Sequence, residues 1–65
     1  MTYKLFTDGG SRGNPGPAGA GAFITDADDS VVAELAEYLG ATTNNVAEYR
    51  ALILGLKKLI ALKAE

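Results

Sequence analysis

Sixty-five residues without a cysteine or a histidine exclude a disulfide-stapled scaffold, a thiolate zinc site and the commonest general base. A net charge of −2 and a pI near 4.9 weigh against a generic polyanion binder, although divalent cations held on carboxylates reverse the local sign. A hydrophobic content of 48% fits one domain of marginal stability for which self-association is the natural remedy, and the lack of a long apolar run or signal peptide predicts a soluble, cytoplasmic chain.

Thr2 to Asp8 alternates, with Tyr3, Leu5 and Thr7 on one side and Lys4, Phe6 and Asp8 on the other, which is the period of a strand. It runs into Gly9-Gly10-Ser11-Arg12-Gly13-Asn14-Pro15-Gly16-Pro17, a stretch so rich in breakers that it reads as a loop. Ala18 to Thr25 reads as a second strand of small residues closing on Phe23 and Ile24. Asp26-Ala27-Asp28-Asp29-Ser30 is a polar turn and Val31 to Leu39 a third strand, so the pair forms an antiparallel hairpin. Gly40 breaks the pattern. Thr42, Thr43, Asn44 and Asn45 are helix-capping types, and Glu48 follows Asn45 by three positions, as in a capping box.

A helix is predicted from about Asn44 to Lys63. Val46, Tyr49, Leu52, Ile53, Leu56, Leu59 and Ile60 fall on one broad arc, the expected core face, with Glu48 inside it toward one edge. Arg50, Lys57 and Lys58 lie off that arc. Leu54 is an apolar outlier on the polar side, and Gly55 costs about 1 kcal/mol against alanine. No repeat, low-complexity tail or linker interrupts the chain.

Chemistry can reside in few places. Asp8 closes a strand with apolar neighbours, and a carboxylate facing a core is expensive unless hydrogen-bonded or bound to a metal. Its plainer role is to open an Asp-Gly turn. Glu48 is either a capping-box member or a metal ligand directed at the sheet, and the helix dipole favours a first-turn carboxylate in both roles. The glycine-rich loop could cradle phosphate through its amides, but it matches neither a Walker A motif nor a dinucleotide fingerprint, since it leads into a strand. Ser11, Arg12 and Asn14 offer polar groups suited to phosphate or ribose, or they are ordinary solvated loop residues. Asp26, Asp28 and Asp29 lack the glycine and terminal glutamate of an EF-hand loop and read as a solvated turn.

Two longer segments carry more. Thr7-Asp8-Gly9-Gly10-Ser11-Arg12-Gly13-Asn14-Pro15-Gly16-Pro17-Ala18-Gly19 resembles the first-strand signature of type 1 ribonuclease H, and Thr43-Asn44-Asn45-Val46-Ala47-Glu48-Tyr49-Arg50-Ala51-Leu52 resembles its first-helix signature. The resemblance covers essentially all of this chain and about the first half of a family domain. It implies a truncated α/β ribonuclease H-like fold, a three-stranded antiparallel sheet followed by one long helix. It further implies hydrolysis of the RNA strand of RNA–DNA hybrids with two Mg²⁺ or Mn²⁺ ions. Asp8 and Glu48 would be the catalytic metal ligands. Gly9, Gly10, Ser11, Arg12, Gly13, Asn14, Asn44 and Asn45 would contact the hybrid.

The family's two other carboxylates and its basic segment follow later in its sequence. A first strand with a free edge therefore predicts a C2 homodimer that pairs two such strands and gathers both copies of Asp8 and Glu48. The alternative is a catalytically inactive self-assembling or hybrid-binding fragment.

Overall fold

The computed structural model describes residues 2–64. Strands β1 (Lys4–Ser11), β2 (Gly16–Thr25) and β3 (Val31–Thr42) form an antiparallel sheet in the order β1-β2-β3, followed by helix α1 (Asn44–Ala64). This is the expected order of elements. The first strand, however, does not stop at the glycines. Gly9, Gly10 and Ser11 pair with Ala20, Gly19 and Ala18, because the small residues of β2 continue the ladder opposite them. The loop contracts to the residues between Ser11 and Gly16, closed by a hydrogen bond from Arg12 N–H to the Pro17 carbonyl at 2.8 Å. Gly16 is required there, for a Cβ would meet the Arg12 carbonyl oxygen at 1.8 Å.

The register sorts side chains onto two faces. Leu5, Thr7, Gly9 and Ser11 lie beside Ile24, Ala22, Ala20 and Ala18, and Ala33, Leu35 and Glu37 extend the same face across β3. Helix α1 packs on this face. Lys4, Phe6, Asp8 and Gly10 lie on the other, with Phe23 and Gly21 beside them. The Phe6 and Phe23 rings stack there with centroids 4.6 Å apart, and each ring residue is about two-fifths exposed. A register shift between Ala18 and Gly19 falls opposite Gly40, whose φ of 73° suits a residue without a Cβ.

The hairpin turn is built as its composition predicts. Asp26 Oδ1 accepts from Asp28 N–H and Ser30 N–H at 2.8 and 3.1 Å, an Asx-type turn. Lys4 Nζ pairs with Asp29 across the hairpin end at 2.7 Å. Both side chains are largely exposed, so the pair adds little stability.

Two features of α1 depart from expectation. Its N-cap is Thr43, whose Oγ1 accepts from Val46 N–H at 3.3 Å and whose carbonyl accepts from Ala47 N–H at 3.1 Å. A capping box would therefore need its acid at position 46, and Glu48 is no part of it. The face turned to the sheet is also not the arc of large residues. Ala47, Ala51 and Gly55 are buried, with Leu54, Lys58, Leu59 and Leu62 half-buried behind them. Of the expected arc only Leu59 is so placed, while Val46, Leu52, Ile53, Leu56, Tyr49 (69%) and Ile60 (68%) stay exposed.

The cause is distance. The sheet offers Ala18, Ala20, Ala22 and the backbone of Gly9, and only a small-residue stripe lets a helix approach so flat a surface. Gly55 belongs to that stripe. A Cβ on it would lie 2.6 Å from Leu5 Cδ1 and 3.3 Å from Ala22 Cβ. The propensity loss at Gly55 is thus set against packing on Leu5, whose side-chain end would have to move to admit a methyl group.

Arg50 ties this face to β3, with Nε and Nη2 donating to Glu37 Oε1 at 3.1 and 2.7 Å. Ile24 is the one large side chain fully buried among the described residues. The radius of gyration is 12.7 Å, against about 11 Å for a compact domain of this length. The molecule is a thin two-layer wedge with apolar surface on both outer sides. No described helix is long and apolar enough to cross a membrane.

Candidate functional site

Asp8 is exposed, inside β1, opposite Gly21 and on the face away from α1. Two expectations are corrected together. The carboxylate does not face the helix-covered core, and it does not open a turn, since the strand runs on to Ser11. What β1 does supply is proximity to the helix start. A Cβ on Gly9 would sit 2.2 Å from the Ala47 carbonyl oxygen and 2.8 Å from Glu48 N. The residue next to Asp8 therefore rests directly on the peptide that leads into Glu48.

Glu48 lies in the second turn of α1, exposed and free of the cap. It lines an open cleft with Asn45, Tyr49 and Leu52. Asp8 borders two other shallow clefts, one with Phe6, Phe23 and Glu34, the other floored by Gly10, Gly19 and Gly21 beneath Glu37 and Tyr38. The carboxylates thus stand on adjoining backbone but open onto different clefts. No three His, Cys, Asp or Glu side chains gather as a metal cluster among the described residues. Asp8 and Glu48 offer hard oxygen donors of the kind Mg²⁺ and Mn²⁺ take, but fewer than such ions usually require.

The polar residues of the loop and helix start are drawn into one cluster. Asn44 Oδ1 accepts from Ser11 N–H at 2.6 Å and lies 3.0 Å from Ser11 Oγ. Asn14 Oδ1 accepts from Asn44 N–H at 2.8 Å. Ser11 Oγ also reaches the Gly13 carbonyl and, at 3.4 Å, Asn14 Oδ1. The bonds to Asn44 span 30 to 33 positions of sequence, so no local pattern signals them. Gly13 turns the loop with φ 89°, and Gly10 lies under the cluster, its nearest neighbour Asn44 Oδ1. Arg12 and Asn45 are exposed at its margins. Sequence reasoning placed Ser11, Asn14 and Asn44 as separate contacts and missed that they bind one another. It named Thr43 among four capping types but built the capping box on Asn45 and Glu48, whereas the cap is Thr43.

Known proteins are similar to this chain in sequence and in fold. The family model described as RNase H matches residues 1–65. The bifunctional protein Rv2228c of Mycobacterium tuberculosis is 60% identical over 65 residues, covering 98% of this chain and 18% of that protein. Ribonuclease HI of Halobacterium salinarum is 50% identical over 52 residues, covering 80% of this chain and 26% of that enzyme. Among solved structures, LC11-RNase H1 in complex with an RNA/DNA hybrid superposes with a TM-score of 0.88 at 52% identity, over 94% of this chain and 44% of that one. This chain therefore spans less than half of each of these relatives. A family match along its whole length and an architecture shared at such identity have one meaning: the chain belongs to the ribonuclease H family.

Proposed function

We propose that this chain is the part of a divalent-metal ribonuclease H that carries two of its catalytic carboxylates and part of its grip on the substrate. The substrate is an RNA–DNA hybrid and the reaction is hydrolysis of the RNA strand. The observation that carries this reading is the seat of Gly9 on the Ala47–Glu48 peptide, which sets Asp8 and Glu48 on adjoining backbone while neither has a structural duty. The solved relative that holds an RNA/DNA hybrid supports the choice of substrate.

Asp8 and Glu48 would hold Mg²⁺ or Mn²⁺, and the bound ions would supply an activated water and charge stabilisation at the leaving oxygen. Gly9, Gly10, Gly13, Ser11, Arg12, Asn14, Asn44 and Asn45 would meet the hybrid's sugars and phosphates through backbone amides, neutral side-chain donors and the one Arg12 guanidinium. That chemistry tolerates an acidic chain, because it relies little on bulk charge. The remaining ligands would come from a second copy paired along the β1 edge, or from a complementing segment. The second reading is a fragment that binds the hybrid without cutting it, and the observation that favours it is the uncharged polar cluster of Ser11, Asn14 and Asn44, which suits contact with sugar and phosphate but not metal chemistry.

The test is cleavage of a hybrid labelled on its RNA strand, with Mg²⁺ or Mn²⁺, for the chain and for Asp8→Asn and Glu48→Gln. Sedimentation is run at the same concentrations. Metal-dependent cutting lost in both variants supports the catalytic reading, and a sedimenting dimer supports the second copy as its source of ligands. Binding without cutting in all three proteins supports the inactive reading.

A further inference from the structure

Around Glu48, α1 rests on the sheet through Ala47 and Ala51, with no large side chain buried beside them to key its rotation. The seat of Gly9 on the Ala47–Glu48 peptide sets the spacing there, but a rod lying on a flat can still roll. At 3.6 residues per turn, Glu48 and Arg50 project about 80° to either side of the direction shared by Ala47 and Ala51. Arg50 takes the β3 flank, where its Nε and Nη2 both donate to Glu37 Oε1 at 3.1 and 2.7 Å. Glu48 therefore takes the opposite flank, over β1, the strand that bears Asp8. Beyond the first turn of α1, the Arg50 bonds are the side-chain hydrogen bonds from helix to sheet among the described residues. The two side chains are 41% and 35% exposed, and a planar guanidinium giving two donors to one oxygen fixes direction as well as distance.

We propose that Arg50 and Glu37 are positioning residues for Glu48: their pair sets the roll of α1, and with it the reach of Glu48 toward an ion shared with Asp8. Neither residue touches the ion, and the inference rests on the metal-binding role proposed above for Asp8 and Glu48. Because Arg50 and Glu48 lie on opposite flanks, a roll that lifts one from the sheet lowers the other. On a helix about 5–6 Å in radius, a roll of about 10° carries the end of a side chain about 1 Å. A displacement of that size is enough to spoil a site that works by fixed geometry. Gly9 and Arg50 thus divide the task, the glycine setting the gap between helix and strand and the arginine the angle.

The experiment measures amide residual dipolar couplings along α1 in the metal-free chain, whose phase reports the roll of the helix. Mn²⁺ is then titrated into the same samples, and paramagnetic broadening of the Asp8 and Glu48 amide signals reports metal contact. Arg50→Ala is expected to shift the phase and to raise the Mn²⁺ dissociation constant about 10-fold, with broadening kept at Asp8 and reduced at Glu48. Exchanging the charges, Glu37→Arg with Arg50→Glu, is expected to restore both readouts. Lys4→Ala, which breaks the other ion pair among the described residues, is expected to change neither. Glu37→Ala severs the pair from the strand side and carries the same comparison should Arg50→Ala not fold. A pair that only added stability would lower the melting temperature and leave the phase alone. An unchanged phase would therefore overturn the proposal, as would a shifted phase with unchanged Mn²⁺ binding. If Asp8→Asn binds Mn²⁺ as the unsubstituted chain does, the proposed metal site fails, while the dipolar couplings still decide whether the pair sets the roll.

Discussion

Gly9 and Ala47 touch through their main chains, so closely that a methyl group on the glycine would lie 2.2 Å from the Ala47 carbonyl oxygen. This contact sets the strand bearing Asp8 directly against the turn bearing Glu48.

Gly9→Ala should therefore be among the most damaging single-methyl changes in the chain. The atom it meets is backbone, which cannot rotate away, so helix and strand must separate. A loss of about 2 kcal/mol or more is expected. Gly10→Ala is the control, since its nearest neighbour, Asn44 Oδ1, stands at an ordinary 3.7 Å. Chemical denaturation of both variants by circular dichroism checks the contrast, which fails if they unfold alike.

Gly55→Ala sets two effects against each other. Helix propensity favours alanine by about 1 kcal/mol. The new methyl group would meet Leu5 Cδ1 at 2.6 Å and Ala22 Cβ at 3.3 Å. Overpacking of this kind typically costs about 1–3 kcal/mol, so net destabilisation is expected. With Leu5→Ala already in place, the same change should become neutral or stabilising. A double-mutant cycle measures the sign reversal.

The cap and the carboxylate are separable. Thr43→Ala should lower stability by about 1 kcal/mol, because Val46 N–H loses its acceptor. Glu48→Gln should stay within about 0.5 kcal/mol of the parent, as an exposed substitution outside the cap. Thermal melts of the two variants would show this directly. A melt of Glu48→Gln as poor as that of Thr43→Ala would restore the capping role to Glu48.

Thr25 is 5% exposed, and its Oγ1 has no hydrogen-bond partner among the described residues. Thr25→Val keeps the β-branched shape and removes the unsatisfied hydroxyl, so it should stabilise the chain by about 1 kcal/mol. A rise in melting temperature with unchanged far-ultraviolet circular dichroism is the expected result.

Much of this could be read from residues alone, and the exceptions share a cause. The alternation of Ala18, Ala20, Ala22 and Ile24 and the Asp26–Ser30 turn are local, and they formed as their composition predicts. They specify the β2–β3 hairpin, while the place of β1 beside β2 was implied only by the ribonuclease H resemblance. The packed face of α1 was not legible in this way, because periodicity weighs residues by hydrophobicity and so selects Val46, Tyr49, Leu52 and Leu56. Contact with an alanine-lined sheet selects by size, and takes Ala47, Ala51 and Gly55. At the site, the two signatures pointed to Asp8 and Glu48 as candidates. The bonds joining Ser11, Asn14 and Asn44 cross between distant segments through side-chain oxygens, and no spacing rule reaches that far.

The alanine-and-glycine seam between α1 and the sheet has a further consequence for precision. Where two elements meet through large side chains, rotamer changes let them shift by fractions of an ångström at little cost. At the seat of Gly9 on Ala47 main-chain atoms meet instead, and none of them has a side-chain torsion to adjust. The gap between helix and sheet is set like the spacing of two machined plates, by the thickness of the backbone itself. Sequence drift on the outer side of α1 can change what this protein adheres to while leaving that spacing intact. Drift on the inner side has almost no room at all.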